Sequence, residues 1–440
     1  MRNPTDVHVF MAALPGYGHF RPLKALAMGL SKLGFRVTFA TGSRFQSSTE
    51  AAGIEFLPFQ GIANMDLEIP NDGFSERLNV PEGPQRVIWD MEHIFFASIP
   101  DQYAVVQTFL ARAEMQNKKV VAVIDGSFFG TLPILLGAPG RRIPVIGIGH
   151  FPMMHLSKDT PPFGMALQSS GPEQNAVMNA GVLQMFSDVN KILVDILEGL
   201  GCTKPLKYGF FGDIVVQTPD LFLQLCVPVM EPPRSDLPPH VRFIGTVLGA
   251  NDARPMPDWF QSFVVDDQSS PLFVVTSGTL PGTSAMDLII PTIQACAALP
   301  IRLVVCTVHA ELPSDFKVPP NARVARWIAF DALLPYANAM VTNAGYGGVN
   351  QALAAGLPII CAGVTEDKAE TSARANLTGA AINLQTQTPT MDQMREAIER
   401  LLGDASFKNE ALELKQTYDA CDAVGSVVDA IWELVEARLD

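Results

Sequence analysis

Short, predominantly apolar runs alternate along this chain with segments whose apolar residues recur at helical spacing. The run 7–14 is followed by Gly16 and Gly18, then by Leu23, Leu26, Leu30 and Leu33 on one helical stripe, then by Gly34 and a second run around Val37 and Phe39. Strand, helix and strand in that order make a βαβ unit with parallel strands. Strands that are apolar at every position need cover on both faces, so helices must flank the sheet on either side. The alternation continues at 120–124 and 144–149, and resumes at 272–276, 301–306, 339–342 and 357–361 after a Pro- and Asp-rich stretch. The expected fold is α/β with two doubly wound, Rossmann-like domains. Their expected spans are 1–250, a linker 251–271, 272–422, and a terminal helix 423–440 able to pack back on the first domain.

Length and composition agree with two domains. The 440 residues exceed the roughly 250–300 at which one hydrophobic core stops growing. Hydrophobic residues at 48% and charged residues at 17%, with 34 Gly and 34 Pro, exclude disorder, collagen and coiled coil as the main architecture. Lys and Arg number 31 against 45 Asp and Glu, a net charge of −14 with no basic cluster, so nucleic acids and anionic membrane surfaces are not expected partners. No apolar run approaches the roughly 20 residues that span a bilayer, and the N-terminus reads as a first strand rather than a signal peptide. Cys202, Cys226, Cys296, Cys306, Cys361 and Cys421 are scattered without a CxxC pair, which suits reduced core residues and a cytoplasmic setting.

Ligands of open α/β sheets bind outside the carboxyl ends of strands, so the residues just after each run are the first candidates. Gly16-Tyr17-Gly18-His19-Phe20-Arg21-Pro22 follows the first. With Pro22 opening the helix, His19 is expected in a loop at the sheet edge, where an imidazole can take a proton from a substrate hydroxyl near neutral pH. The plain alternative is a loop histidine that caps or packs. A dinucleotide fingerprint fails here, because Arg21 stands where G-x-G-x-x-G needs glycine and the next strand ends in Gly42-Ser43 without an acid. Asp125 ends a strand of the same sheet, so it can meet His19 as a carboxylate that fixes the imidazole tautomer; otherwise it is a turn aspartate. In the second half, Thr276-Ser277-Gly278-Thr279 offers small hydroxyls, and Thr342-Asn343-Ala344-Gly345-Tyr346-Gly347-Gly348 offers a glycine-rich helix start for an anion, although such turns are often structural.

Taken together these segments resemble the UDP-dependent glycosyltransferases of family 1, inverting enzymes of the GT-B fold, over essentially the whole chain. G-x-G-H-x-x-P appears as Gly16, Gly18, His19 and Pro22, and the nucleotide-sugar signature runs from Arg326-Trp327 to Asp367-Lys368. The resemblance implies that Trp327, with Ile328 beside it, stacks on uracil, that Ser277 and Thr279 lie near the diphosphate, and that Gly345, Tyr346, Gly347 and Gly348 form its loop. Gln351 replaces the usual Glu at the ribose, and Asn343 replaces a His beside the phosphates, leaving a neutral donor. Asp367-Lys368 replaces an acid followed by Gln at the sugar hydroxyls, so glucose is only the family default. The motifs look most like those of microbial members acting on macrolides, phenolics and other natural products. His19 is then the general base and Asp125 its support.

The acceptor pocket is expected from the N-terminal half, with Phe95, Phe96, Phe128, Phe129, His150, Phe151, Met153, Met154 and Phe163 as apolar walls, each also a candidate for simple core. His150 and His155 as a metal pair lack a third ligand at useful spacing, and no D-x-D clamp is present, so no metal is expected. The implied partners are a UDP-sugar as donor co-substrate, a small hydrophobic acceptor and no permanently bound cofactor, in a monomer or weak dimer. Competing readings are an epimerase of the same fold, which would need carboxylates facing the sugar, and a silent nucleotide-sugar-binding partner, which would have no need of His19 and Asp125 together.

Overall fold

A computed structural model describes residues 2–67, 74–115, 118–168, 170–247, 255–278 and 284–437. Within the first half, β1 (Val7–Ala12), β2 (Arg36–Thr41), β3 (Glu55–Pro58), β4 (Lys119–Asp125), β5 (Val145–Gly149), β6 (Leu221–Gln224) and β7 (Val241–Phe243) form one sheet in the spatial order β3-β2-β1-β4-β5-β6-β7. The second sheet contains β8 (Leu272–Thr276), β9 (Arg302–Cys306), β10 (Ala322–Ala325), β11 (Ala339–Thr342), β12 (Ile359–Cys361) and β13 (Ala381–Asn383), ordered β10-β9-β8-β11-β12-β13. The pairings in both are parallel. Three helices begin beyond carboxyl strand ends, α1 (Tyr17–Lys32), α2 (Tyr346–Ala354) and α3 (Lys368–Leu377), and α4 (Ala423–Glu436) is the last helix.

The apolar runs are explained by two covered faces. In β1 every residue is buried; Val7, Val9 and Met11 pack with Phe20, Leu23, Leu26 and Leu30 of α1, while Phe10 and Ala12 pack with Val106 and Phe109 on the opposite side. The doubly wound α/β architecture expected from the sequence is thus the one formed, twice.

Chain order reverses once in each sheet, between β1 and β4 in the first and between β8 and β11 in the second. Crossovers on the two sides of such a point run to opposite faces and leave a crevice beyond the strand ends. Four strand ends therefore define where a ligand can sit: those of β1, β4, β8 and β11.

The Pro- and Asp-rich stretch 251–271 is not a plain linker. Its residues 251–254 lie outside the described residues, but Phe260, Phe263 and Val264, around a short turn Gln261–Asp266, are buried in one core with Leu272 and Val304 of the second sheet. Proline and aspartate mark its ends, and the apolar side chains between them anchor it. The last helix, α4, returns to the first domain, where Val427, Ile431, Trp432 and Val435 join the core of β1 and α1. Among the described residues no helix is long and apolar enough to cross a membrane.

Contact between α1 and α4 is close enough to demand glycine at one position. A Cβ on Gly29 would lie 2.7 Å from Val424 Cγ2, and a β-branched side chain has little χ1 freedom with which to retreat. Helix propensity favours alanine by up to about 1 kcal/mol, whereas overpacking a tight contact costs about 1–3 kcal/mol. Gly29→Ala is therefore expected to lower the urea midpoint; a variant at least as stable as the parent would mean that α4 shifts without cost.

Candidate active site

The first crevice is built by β1, α1 and β4. Helix α1 opens at Tyr17, capped by extended Gly16 (φ −134°, ψ 147°), whose carbonyl accepts from His19 N at 3.1 Å and Phe20 N at 2.8 Å. His19 consequently stands in the first helical turn, not in a loop ahead of it as expected. Pro22 lies inside the helix, where its missing N–H leaves Gly18 O without the i→i−4 donor.

His19 Nδ1 lies 2.8 Å from Asp125 Oδ2. Asp125 is fully buried and collects further donors: Leu14 N to Oδ2 at 3.1 Å, Ser127 N to Oδ1 at 2.8 Å, and His150 Nε2 to Oδ1 at 2.8 Å. An ionised carboxylate only accepts, so His19 carries its proton on Nδ1 and keeps the Nε2 lone pair, on a side chain still 25% exposed. Burial by itself would push Asp125 up, but the two imidazoles and their hydrogen bonds hold it well below the ordinary carboxylate range. Burial likewise disfavours the His19 imidazolium; Asp125, with Asp367 more distantly, outweighs it and raises the pKa above its usual value.

His150 is thus the second imidazole on Asp125 rather than a pocket wall, and its ring meets His19 edge to face at 4.6 Å between centroids. The nitrogens and oxygens of His19, Asp125 and His150 lie within 4.8 Å of one another, a spacing that can hold a metal ion. Here the facing nitrogen of each ring is hydrogen-bonded to the carboxylate, which accounts for the cluster as a relay. His155 does not join it; its Nδ1 binds Asp213 Oδ1 at 2.8 Å.

The second crevice is built by β8 and β11. Left-handed backbone at Gly278 (φ 78°), Ala344 (φ 64°) and Glu366 (φ 53°) turns the chain sharply beyond three strand ends. Helix α2 begins after Gly345, which supplies no side-chain cap, so the first amides of the helix have no intrahelical acceptor. A Cβ on Gly345 or Gly347 would meet nothing within 4 Å. The helix start therefore opens onto free space, an arrangement suited to an anion. Ser277 Oγ is buried without a hydrogen-bond partner beside it. Half-buried Gln351 lies one turn beyond Gly347, on the same face. Thr279 lies outside the described residues.

Several sequence assignments in this half need correction. The Asn343 side chain donates an N–H to the Ser277 carbonyl, tying the two turns together instead of standing free beside a phosphate. Tyr346 faces the first domain, its buried hydroxyl accepting from Gln224 Nε2 at 2.8 Å, so only its backbone belongs to the helix start. Ile328 is a core residue. Lys368 is buried and gives its ammonium to Glu366 Oε2 at 2.5 Å, because a buried charge requires a counterion, so it is not held out toward a sugar. Burial pushes the Asp367 carboxyl up, against the neighbouring Lys368, and its charge adds to that of Asp125 in favouring the His19 imidazolium.

Of the expected acceptor walls, Phe95 lines a small apolar hollow with Leu14, Pro15, Ile62, Met65, Leu67 and Ile94 beside the His19 turn. Half-buried Phe151 packs 4.9 Å from the His150 ring, and Phe163 is half-buried in the following loop. Phe96 and Phe128 are core instead, Phe96 meeting Phe129 edge to face and Phe128 stacked on Phe59, and Phe129 is itself buried. Met153 and Met154 are also buried; a count of aromatics and methionines does not separate pocket from core.

Two features escaped the sequence. Arg21 of α1 places its guanidinium 4.6 Å from the centroid of the Trp327 ring, joining the domains through a cation–π contact. Buried Arg374 of α3 binds Glu231 Oε2 at 3.0 Å, Met153 O at 3.3 Å and the Glu370 carboxylate, and Glu370 Oε1 accepts from Gly164 N at 2.8 Å and Ala166 N at 2.7 Å. A buried Arg and Glu one helical turn apart are the only sequence signal, and their partners are more than 130 residues away.

Residues 292–434 match the family described as Erythromycin biosynthesis protein CIII-like, C-terminal domain. UDP-glycosyltransferase 2 of Phaeomoniella chlamydospora is 38% identical over 442 residues, covering 98% of this chain and 96% of that protein. UDP-glucosyltransferase A1 of Starmerella bombicola is 31% identical over 434 residues, covering 97% and 92%. In fold, the chain is similar to the solved structure of the glycotransferase of kitacinnamycin, with a TM-score of 0.71 at 21% identity over 97% of this chain and 98% of that one.

Proposed function

Because the chain belongs to the family 1 UDP-glycosyltransferases, enzymes of the GT-B fold, we propose that it moves a hexose, glucose by default, from a UDP-sugar to a hydroxyl of a small lipophilic acceptor of natural-product type. The observation that carries this is the pairing of two crevices, one with an imidazole backed by a buried carboxylate and the other with an open helix start, in domains joined by Arg21 over Trp327 and by Gln224 with Tyr346.

In the proposed reaction His19 Nε2 takes the acceptor hydroxyl proton, and Asp125 stabilises the imidazolium formed. The oxygen attacks the anomeric carbon as its bond to the UDP phosphate breaks, and that electron pair leaves on the UDP oxygen. Attack opposite the leaving group inverts the anomeric centre. Negative charge gathering on UDP meets the amides at the start of α2 and the Ser277 hydroxyl, donors fixed before reaction, so no step calls on a divalent metal. Trp327 serves as the platform for the base, and Asp367 receives sugar hydroxyls beside the proton acceptor.

The test is a panel of UDP-glucose, UDP-galactose and UDP-N-acetylglucosamine against phenols, macrolides and long-chain alcohols, read by mass spectrometry. A mass gain of one hexose from UDP-glucose is expected. No product from any UDP-sugar, with no rise in melting temperature at millimolar UDP, would overturn the assignment.

A further inference from the structure

Asp125 is held by two side chains, and the proposed reaction uses only one of them. His150 Nε2 lies 2.8 Å from Oδ1, the oxygen that His19 does not touch. Its side chain is 8% exposed and its ring abuts both His19 and Phe151. Since the carboxylate accepts from it, His150 carries its proton on Nε2. The carboxylate is thereby fixed at both oxygens, with Leu14 N donating to Oδ2 and Ser127 N to Oδ1.

Resting on the activity proposed above, we propose that His150 is a positioning residue for the transfer: its Nε2–H pins Oδ1 of Asp125, and so aims Oδ2 and sets how strongly the carboxylate draws on the His19 proton. The titratable groups in contact with His150 are Asp125 from β4 and His19 from α1, and the charge of Asp367 from the other domain also acts on it. A carboxylate that gives up one donor becomes more basic toward the remaining one. Removing the His150 N–H should therefore strengthen the hold of Asp125 on the His19 proton, so that the base becomes neutral only at higher pH. A pocket wall would behave differently, changing acceptor KM and leaving the proton chemistry alone.

The decisive comparison is His150→Phe, which keeps a flat ring without a donor, against His150→Gln, whose amide N–H reaches about as far as Nε2. His150→Phe is expected to lower kcat about tenfold at neutral pH, a fraction of the 10²–10⁴ expected of the base itself, and to move the acid limb of kcat/KM to higher pH. His150→Gln should restore most of both. An unchanged acid limb in His150→Phe, a loss confined to acceptor KM, or a His150→Gln as impaired as His150→Phe would each overturn the proposal. Independently of how either variant folds, imidazole ¹⁵N spectra of the intact protein should place the His150 proton on Nε2, facing Asp125. A proton on Nδ1 instead would overturn the proposal as well. These spectra need no turnover, so a protein that transfers no sugar fails the function proposed above without deciding this one.

Discussion

His19→Ala should lower kcat by about 10²–10⁴, the range for loss of a positioned general base, while UDP binds with nearly its original affinity. The two effects separate because His19 belongs to the β1–β4 crevice and the donors proposed for the diphosphate belong to the β8–β11 crevice. Stopped turnover with an intact UDP isotherm in calorimetry is the expected pair of results; equal activity in variant and parent would remove His19 as the base. The sign of the pH dependence follows from the same geometry. Below its raised pKa the His19 imidazole is protonated and cannot accept, so kcat/KM should climb with pH through a value above the ordinary one for histidine. Asp125→Asn removes the anion that raises it, so the acid limb should move down even as the rate falls. An acid limb that stays put in Asp125→Asn would mean that another group sets it.

The largest loss of stability is expected from Arg374→Met. Arg374 is buried with Glu231 and Glu370, themselves 5% and 2% exposed. Removing the guanidinium strands the two carboxylates away from water, although Arg234 remains 3.1 Å from Glu231. Breaking a buried pair from one side costs about 3–5 kcal/mol, well beyond the ~0–1 kcal/mol of a surface pair such as Arg36 with Glu55. Urea denaturation should show a midpoint far below that of the parent. Adding Glu231→Gln and Glu370→Gln to Arg374→Met should recover part of the loss, since the stranded charges go with it. A loss under about 1 kcal/mol would mean that water reaches the cluster when the arginine is gone.

Much of the fold was legible because its strands are covered on both faces. Runs such as 120–124 and 339–341 have no polar position to confuse them. The outer strands β3, β7 and β13 are three or four residues long and include Glu55, Arg242 and Asn383, so no apolar pattern announces them. Motif spacing located His19 and the glycine turn, since both follow directly from a strand end. Spacing misjudged the local geometry of His19, because a proline early in a helix was read as its first residue. It also cannot tell which histidine a buried carboxylate will bind: His150 and His155 are five residues apart, yet they serve Asp125 and Asp213 respectively. Side-chain pairing across a doubly wound fold is set by strand order, and strand order is decided by packing over the whole sheet.

The clasp between Glu370 and the amides of Gly164 and Ala166 has a consequence for engineering. The segment proposed to line the acceptor side is fastened to the helix that begins directly after Asp367. Transplanting either segment alone between relatives leaves a carboxylate without its amides, or amides without their carboxylate. A chimera built to accept a different alcohol should therefore exchange 151–167 and 367–377 together, as one cassette.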